Sequence, residues 1–146
     1  MAARRRIDPA AGAQALRQWA QEQDESQDAS ANGIGDGAGA VSPADRAARR
    51  RVTATAVRYT LEELAACAPG RSVEVRVPPY GVTQAVAGTV HRRGTPPSVV
   101  ETDAETWLAL VTGRLTWADA VAGGALRASG ERCDLSAYLP LVRLPG

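Results

Sequence analysis

Apolar residues recur at helical spacing in several stretches of the chain and alternate with polar residues in others, which predicts a mixture of helices and strands. The longest predicted helix begins at Pro43, with Ser42 as its N-cap, and ends near Ala68, because Pro69 and Gly70 do not continue a helix. Its apolar face consists of Val52, Val57, Leu61, Leu64, Ala65 and Ala68. We therefore expect this helix to pack on a core along most of its length.

A second amphipathic helix is predicted near the start of the chain, within residues 1–23. Asp8 can cap this helix, Pro9 suits its first turn, and the pattern ends at about Glu22. Its narrow apolar stripe consists of Ala13, Leu16, Trp19 and Ala20. The stripe is wide enough to contact one neighbouring surface.

Residues 24–42 contain few apolar side chains, with only Ile34 and Val41 of any size. Folding such a segment would not offset the conformational entropy that it loses. We therefore expect a disordered linker over residues 24–42 and a folded domain over residues 43–146.

Alternation of apolar and polar residues marks the first strand, in which Val73, Val75 and Val77 share one face. The following turn contains Pro78 and Gly81, both of which interrupt a strand. Three further strands are expected over Val82–Ala87, Thr89–Arg92 and Ser98–Thr102. We expect hairpins to join these strands.

The most ordered pattern lies in residues 102–130 and predicts a helix, a turn, a short helix and a strand in succession. The apolar stripe of the first helix is Ala104, Trp107, Leu108 and Val111. Gly113 suits the left-handed end of that helix, Thr116 can cap the next helix, and a strand begins at Leu126. Asp134 can cap a last short helix. That helix would carry Leu135, Tyr138 and Leu139 on one face.

These elements predict an α+β structure with helices over one face of a sheet. The order of apolar residues and glycines after position 106 resembles the C-terminal half of sterol carrier protein type 2 (SCP2-like) domains. The residues that carry this resemblance are Trp107, Leu108, Leu110, Gly113, Leu115, Ala120, Gly124, Leu126 and Gly130. Residues 71–84 and 94–101 are similar to the bacterial branch of the family, and the resemblance covers about residues 43–146. It implies a sheet of about five strands, mostly antiparallel.

The resemblance also implies an apolar tunnel between the sheet and the C-terminal helices, which would accept an acyl chain or a sterol. Transfer of an acyl chain from water gains ~0.8 kcal/mol per methylene, so apolar walls are sufficient for binding. The residues expected to line the tunnel are Trp107, Leu108, Val111, Leu115, Trp117, Val121, Leu135 and Leu139. Ordinary core packing explains the same pattern equally well.

We therefore expect a non-catalytic binding or carrier protein for a lipid, a fatty acyl compound or a sterol-like molecule. The alternative is an interaction, regulatory or enzyme-accessory domain with a closed core and no ligand. In either case the N-terminal helix could form a homodimer or bind a partner protein.

Charge and composition argue against nucleic acid as a partner. The net charge is +1, which creates no overall field to attract a polyanion. All 17 basic residues are arginine, as expected from the codon usage of a GC-rich bacterial genome. The triplets Arg4–Arg6 and Arg49–Arg51 could bind phosphate, or could simply be solvated helix faces.

The residues capable of nucleophilic or metal chemistry are few and widely spaced. Cys67 and Cys133 have no CxxC spacing, which favours neither a zinc site nor a disulfide framework. His91 could pair with a cysteine in a hydrolase, but no nucleophile motif accompanies it. We expect no catalytic residue, metal or cofactor. Since there is no 18-residue apolar run or secretory leader pattern, we expect a cytoplasmic protein without a membrane span.

Overall fold

The computed structural model describes residues 4–32, 41–88, 98–130 and 133–144, and within them four helices accompany a four-stranded sheet. The helices are α1 (Pro9–Ala31), α2 (Pro43–Cys67), α3 (Ala104–Thr112) and α4 (Trp117–Ala122). The strands are β1 (Val73–Val77), β2 (Gly81–Ala85), β3 (Ser98–Thr102) and β4 (Leu126–Ser129). A short 3₁₀ turn, Ser136–Tyr138, follows β4. The predicted α+β class is confirmed.

The helices begin where short polar side chains satisfy their first free N–H groups. Asp8 accepts a hydrogen bond from the Ala11 backbone N–H at 3.0 Å, and the three other caps are equally regular. Ser42 caps α2 at 3.1 Å, Asp103 caps α3 at 2.7 Å and Thr116 caps α4 at 3.1 Å. Gly113 ends α3 with φ 81°, a left-handed conformation that glycine adopts without strain. The predicted caps at positions 8, 42 and 116 are confirmed.

Helix α1 is longer than the sequence pattern predicts, since it continues past Glu22 to Ala31. Residues 24–31, which we expected to belong to a disordered linker, are therefore helical. The reason is local: this stretch lacks an apolar stripe but also lacks glycine and proline, and its Glu, Gln and Ala residues favour a helix. Residues 33–40 lie outside the described residues.

The sheet is mixed and has the strand order β2-β1-β3-β4. Strand β1 pairs antiparallel with β2, and β3 pairs antiparallel with β4. Strands β1 and β3, however, run parallel, with Val75 opposite Val100. The expected sheet of five, mostly antiparallel strands is therefore not matched exactly: four strands are described, one of their three pairings is parallel, and the expected strand over 89–92 lies outside the described residues. Strand β3 runs in the same direction as β1 and joins the edge of β1 opposite to β2, so these two strands are parallel.

One face of the sheet is buried beneath the helices. Val73, Val75 and Val77 of β1 are fully buried, as is Val100 of β3. The other face is charged and more exposed, and Arg76 forms an ion pair with Glu74 there at 2.7 Å. The prediction that the helices cover one face agrees with this arrangement, and the core lies between that face and the helices.

Candidate functional site

Four of the eight predicted tunnel residues lie together in the centre of the core. Trp107, Leu108 and Val111 of α3 are fully buried, and so is Leu135, which follows β4. They belong to the same continuous apolar cluster as the valines of β1. Helical spacing brings the three α3 residues onto one face, and the return of the chain after β4 adds Leu135 to them.

A buried hydrogen bond fixes the indole of Trp107. Its Nε1 donates to Thr60 Oγ1 of α2 at 2.9 Å, and the Thr60 hydroxyl donates to the Ala56 carbonyl oxygen at 2.8 Å. The Thr60 side chain has no exposed surface. This interaction joins α2 and α3 at the centre of the candidate site.

The remaining four predicted residues lie farther from this centre. A second, smaller cluster consists of Leu110, Ala120 and Leu126, and the partly buried Leu115, Trp117 and Leu139 pack against it. Val121 is 49% exposed and lies outside both clusters. It occupies the solvent side of α4, which is only 6 residues long and buries a single side chain, Ala120. The structure therefore brings seven of the eight predicted residues into contact with the interior, in two neighbouring groups.

Sequence reasoning did not place α1 in this site, although it identified Leu16, Trp19 and Ala20 of the apolar stripe; Ala15 is buried in place of the predicted Ala13, which is only partly buried. Leu16 is fully buried and Trp19 is 3% exposed, and both belong to the same cluster as Trp107. Gly12 permits this close packing, since a Cβ there would lie 2.3 Å from Cγ of Tyr59 on α2. Helix α1 thus covers the outer side of the candidate site.

Polar contacts fasten α1 at both ends of its buried stripe. At its start, Arg5 forms an ion pair with Glu63, and the Glu62 carboxylate accepts from the backbone N–H groups of Arg6 and Ile7 at 2.9 and 3.3 Å. Trp19 Nε1 donates to Glu105 Oε2 of α3 at 3.1 Å. These contacts join positions between 55 and 86 residues apart in the chain.

Arg114 also contacts α1, at Asp24 and at the ring of Trp19. Its guanidinium pairs with Asp24 at 2.7 Å and lies 5.9 Å from the centre of the Trp19 ring. The hydrogen bond from Arg114 lowers the pKa of the Asp24 carboxyl below its usual value. Such contacts are solvent-accessible and individually weak, so they define the position of α1 rather than hold it irreversibly.

The cysteines do not form a nucleophilic site in the described residues. Cys67 lies at the end of α2, where desolvation raises the pKa of its thiol, and Cys133 contacts the Gly130 carbonyl oxygen at 3.4 Å. A thiol with a raised pKa is a poor nucleophile at neutral pH. His91 lies outside the described residues. In the part of the chain that the structure describes, no three His, Cys, Asp or Glu side chains are grouped to hold a metal ion.

No helix in the described ranges combines the length and apolar character needed to cross a bilayer.

Comparison with known proteins identifies the family. No curated protein matches the chain. A family model described as "Bacterial SCP ortholog" matches residues 49–141, more than half of the chain, including most of α2, the sheet, α3 and α4 but not α1. The chain therefore belongs to the bacterial SCP ortholog family, the bacterial branch of sterol carrier proteins.

Proposed function

We propose that this protein is a non-catalytic carrier whose apolar interior receives the chain of a lipid, fatty acyl or sterol-like ligand. Membership of the SCP-like family points to lipid binding or transport in general and to carriers rather than enzymes. The observation that carries the proposal is the continuous apolar cluster that joins the sheet to Trp107, Leu108, Val111 and Leu135. Leu115, Trp117 and Leu139 would contact the ligand at the edge of this interior.

Ligand binding requires Leu16 and Trp19 of α1 to leave the interior, because these two side chains fill its outer side. Exposing these two side chains costs about 3 to 6 kcal/mol, whereas burying a chain of about twelve methylenes gains about 10 kcal/mol before ordering costs. The exchange of α1 for an acyl chain is therefore favourable for a long chain and unfavourable for a short one. The ion pairs that α1 forms with Glu63 and Arg114 are solvent-accessible, so water can replace them, whereas the hydrogen bond from Trp19 to Glu105 is partly buried.

Native mass spectrometry of the full chain purified from its own host, followed by lipid extraction, tests the proposal. We expect one acyl or sterol-like molecule per protein, and saturable binding of a fluorescent fatty acid by the delipidated protein. A protein that is reproducibly empty and ignores fluorescent fatty acids would exclude the carrier function.

A pair of α1 variants tests where the chain binds. Trp19→Ala loosens the cover over the interior, whereas Gln18→Ala alters the exposed side of the same helix. We expect faster uptake of the fluorescent fatty acid by the first variant and unchanged uptake by the second. Equal rates in both variants would place ligand entry away from α1.

The second candidate function is an interaction or regulatory domain with a closed core, and one observation favours it. The apolar stripe of α1 fills the interior of its own chain, as expected for a domain that needs no ligand. In that case α1 would stabilise the domain or, once it is released from its own domain, would pair with a second copy to form a homodimer. Size-exclusion chromatography and thermal melting with and without residues 1–42 distinguish the functions, because a closed domain would lose stability or change assembly while neither form bound fatty acid.

A further inference from the structure

A second candidate binding surface lies beside the apolar interior. It is a cleft of about 390 Å³ between the first half of α2, the turn after β1 and the start of α3. Arg49 and Arg50 line it from α2, Tyr80 lines it from the turn after β1, and Asp103, Ala104 and Glu105 line it from the start of α3. We refer to it as the arginine cleft.

The two arginines of the arginine cleft are unpaired, in contrast to the carboxylates. Among the residues that the structure describes, neither Arg49 nor Arg50 forms a hydrogen bond or an ion pair through its side chain. Asp103 instead caps α3 through the Thr106 N–H, and Glu105 accepts from Trp19 Nε1. The cleft therefore offers two cationic donors without a protein partner in the described part of the chain. The two carboxylates beside them keep their negative charge but are each oriented by a neutral N–H donor. Guanidinium groups stay charged at any physiological pH and match carboxylate and phosphate geometry.

The arginine cleft also adjoins the apolar interior directly. Ala104 lines the cleft and is a member of the core cluster, and Tyr80 lines the cleft and packs against that cluster. Glu105, next to Ala104 at the start of α3, accepts a hydrogen bond from Trp19 of α1. A molecule with an anionic group at the arginines can therefore extend an apolar chain past Ala104, beneath the margin of α1.

We propose that the arginine cleft is the site that binds the anionic head of the ligand. Arg49 and Arg50 bind the head, while the chain enters the interior next to Trp19. This inference rests on the proposed carrier function and names the residues that distinguish an anionic ligand from a neutral one. It also places the point where the ligand enters at the hydrogen bond between Trp19 of α1 and Glu105 of α3.

Competition binding to the full chain tests the inference with three ligands below their micelle concentrations: dodecanoate, dodecyl phosphate and dodecanol. The variant Arg49→Gln/Arg50→Gln removes both head contacts, and Arg46→Gln/Arg51→Gln removes the same charge from the same helix outside the cleft. We expect the first variant to bind the anionic ligands about tenfold more weakly and dodecanol unchanged, and the second variant to bind all three as the wild type does. Of dodecanoate and dodecyl phosphate, the ligand whose affinity falls more in Arg49→Gln/Arg50→Gln carries the preferred head group.

Two results would overturn the inference while leaving the carrier function intact. One is equal affinity for dodecanol and the anionic ligands, and the other is the same loss of affinity in both double variants. If none of the three ligands binds to any protein, the carrier function fails. The cleft is then judged with inorganic phosphate alone: shifts of the Arg49 and Arg50 side-chain N–H resonances at millimolar phosphate support an anion site, and their absence refutes it. Circular dichroism confirms that each variant is folded.

Discussion

Replacing Thr60 by valine tests the central hydrogen bond of the candidate site. Valine has nearly the same shape and the same helix propensity as threonine, so the substitution removes the hydroxyl and little else. The Trp107 Nε1–H group, on an indole with no exposed surface, would then have no acceptor. Leaving a buried donor unsatisfied costs about 1 to 3 kcal/mol, and the added methyl group recovers part of it. We expect a net loss of about 1 to 2 kcal/mol in the free energy of unfolding.

Urea denaturation followed by tryptophan fluorescence measures this loss, with Thr55→Val as the matched control. Thr55 lies on the same helix, is partly exposed, and forms no side-chain hydrogen bond within the described residues. We expect the control to change stability by less than about 0.5 kcal/mol. In a Trp107→Phe background, which lacks the indole N–H, Thr60→Val should cost little, and the double-mutant cycle should give a coupling energy of about 1 kcal/mol. Equal effects of Thr60→Val and Thr55→Val would refute the reasoning.

Three further predictions concern α1 and the end of β2. Gly12→Ala should destabilise the protein by about 1 to 3 kcal/mol in urea denaturation, although alanine favours helices, because its Cβ overlaps the Tyr59 ring; a gain in stability would contradict this packing. Val86→Gly should cost less than about 1 kcal/mol by the same measurement, since Val86 has φ 69° and glycine relieves that strain while losing partial burial; a loss above about 2 kcal/mol would refute the balance. Because pairing with Arg114 lowers the pKa of Asp24, its contribution to holding α1 is present above the ordinary aspartate pKa of about 3.9 and is lost as pH falls through the lowered value. The protection factors of the α1 amides, which are corrected for the pH dependence of intrinsic exchange, should therefore fall on acidification more in the wild type than in Asp24→Asn, and identical pH profiles of protection would exclude this role.

Local features of the fold could be predicted because neighbouring residues determine them. The caps at Asp8, Ser42 and Thr116 depend on a side chain three residues from the N–H that it accepts. Strand β3 has the predicted bounds, Ser98–Thr102, because alternation and the adjoining Asp103 cap define both its pattern and its end. Burial of the α3 stripe likewise follows from helical periodicity.

Long-range features could not be predicted from these patterns. The parallel pairing of β1 with β3 depends on which edge of β1 is free, and no local signal records that choice. The length of α1 was underestimated because we equated a missing apolar stripe with missing structure. Exposed contacts such as Gln21 to Glu25 at 3.2 Å support this part of the helix instead.

The sequence predicted which residues form the candidate site, but it did not predict that α1 covers the site. Periodicity identified Leu16 and Trp19 as buried residues, but the hydrogen bond from Trp19 to Glu105 spans 86 positions of sequence. Similarly, the polar partner of Trp107 lies on another helix, 47 positions away. The arginine triplet 49–51 was noted, yet its position beside Ala104 appears only once α2 and α3 are packed together.

Helix α1 belongs to the same polypeptide as the surface that it covers, joined to α2 through residues 32–42. In the proposed exchange of α1 for a ligand, the release and return of α1 are therefore unimolecular, and their rates do not depend on the protein concentration. A short covalent tether supplies an effective concentration on the order of millimolar, which a separate peptide with the α1 sequence would have to exceed to compete. Under the proposed carrier function, the tethered helix would cover the interior again when the ligand leaves, without help from a second component.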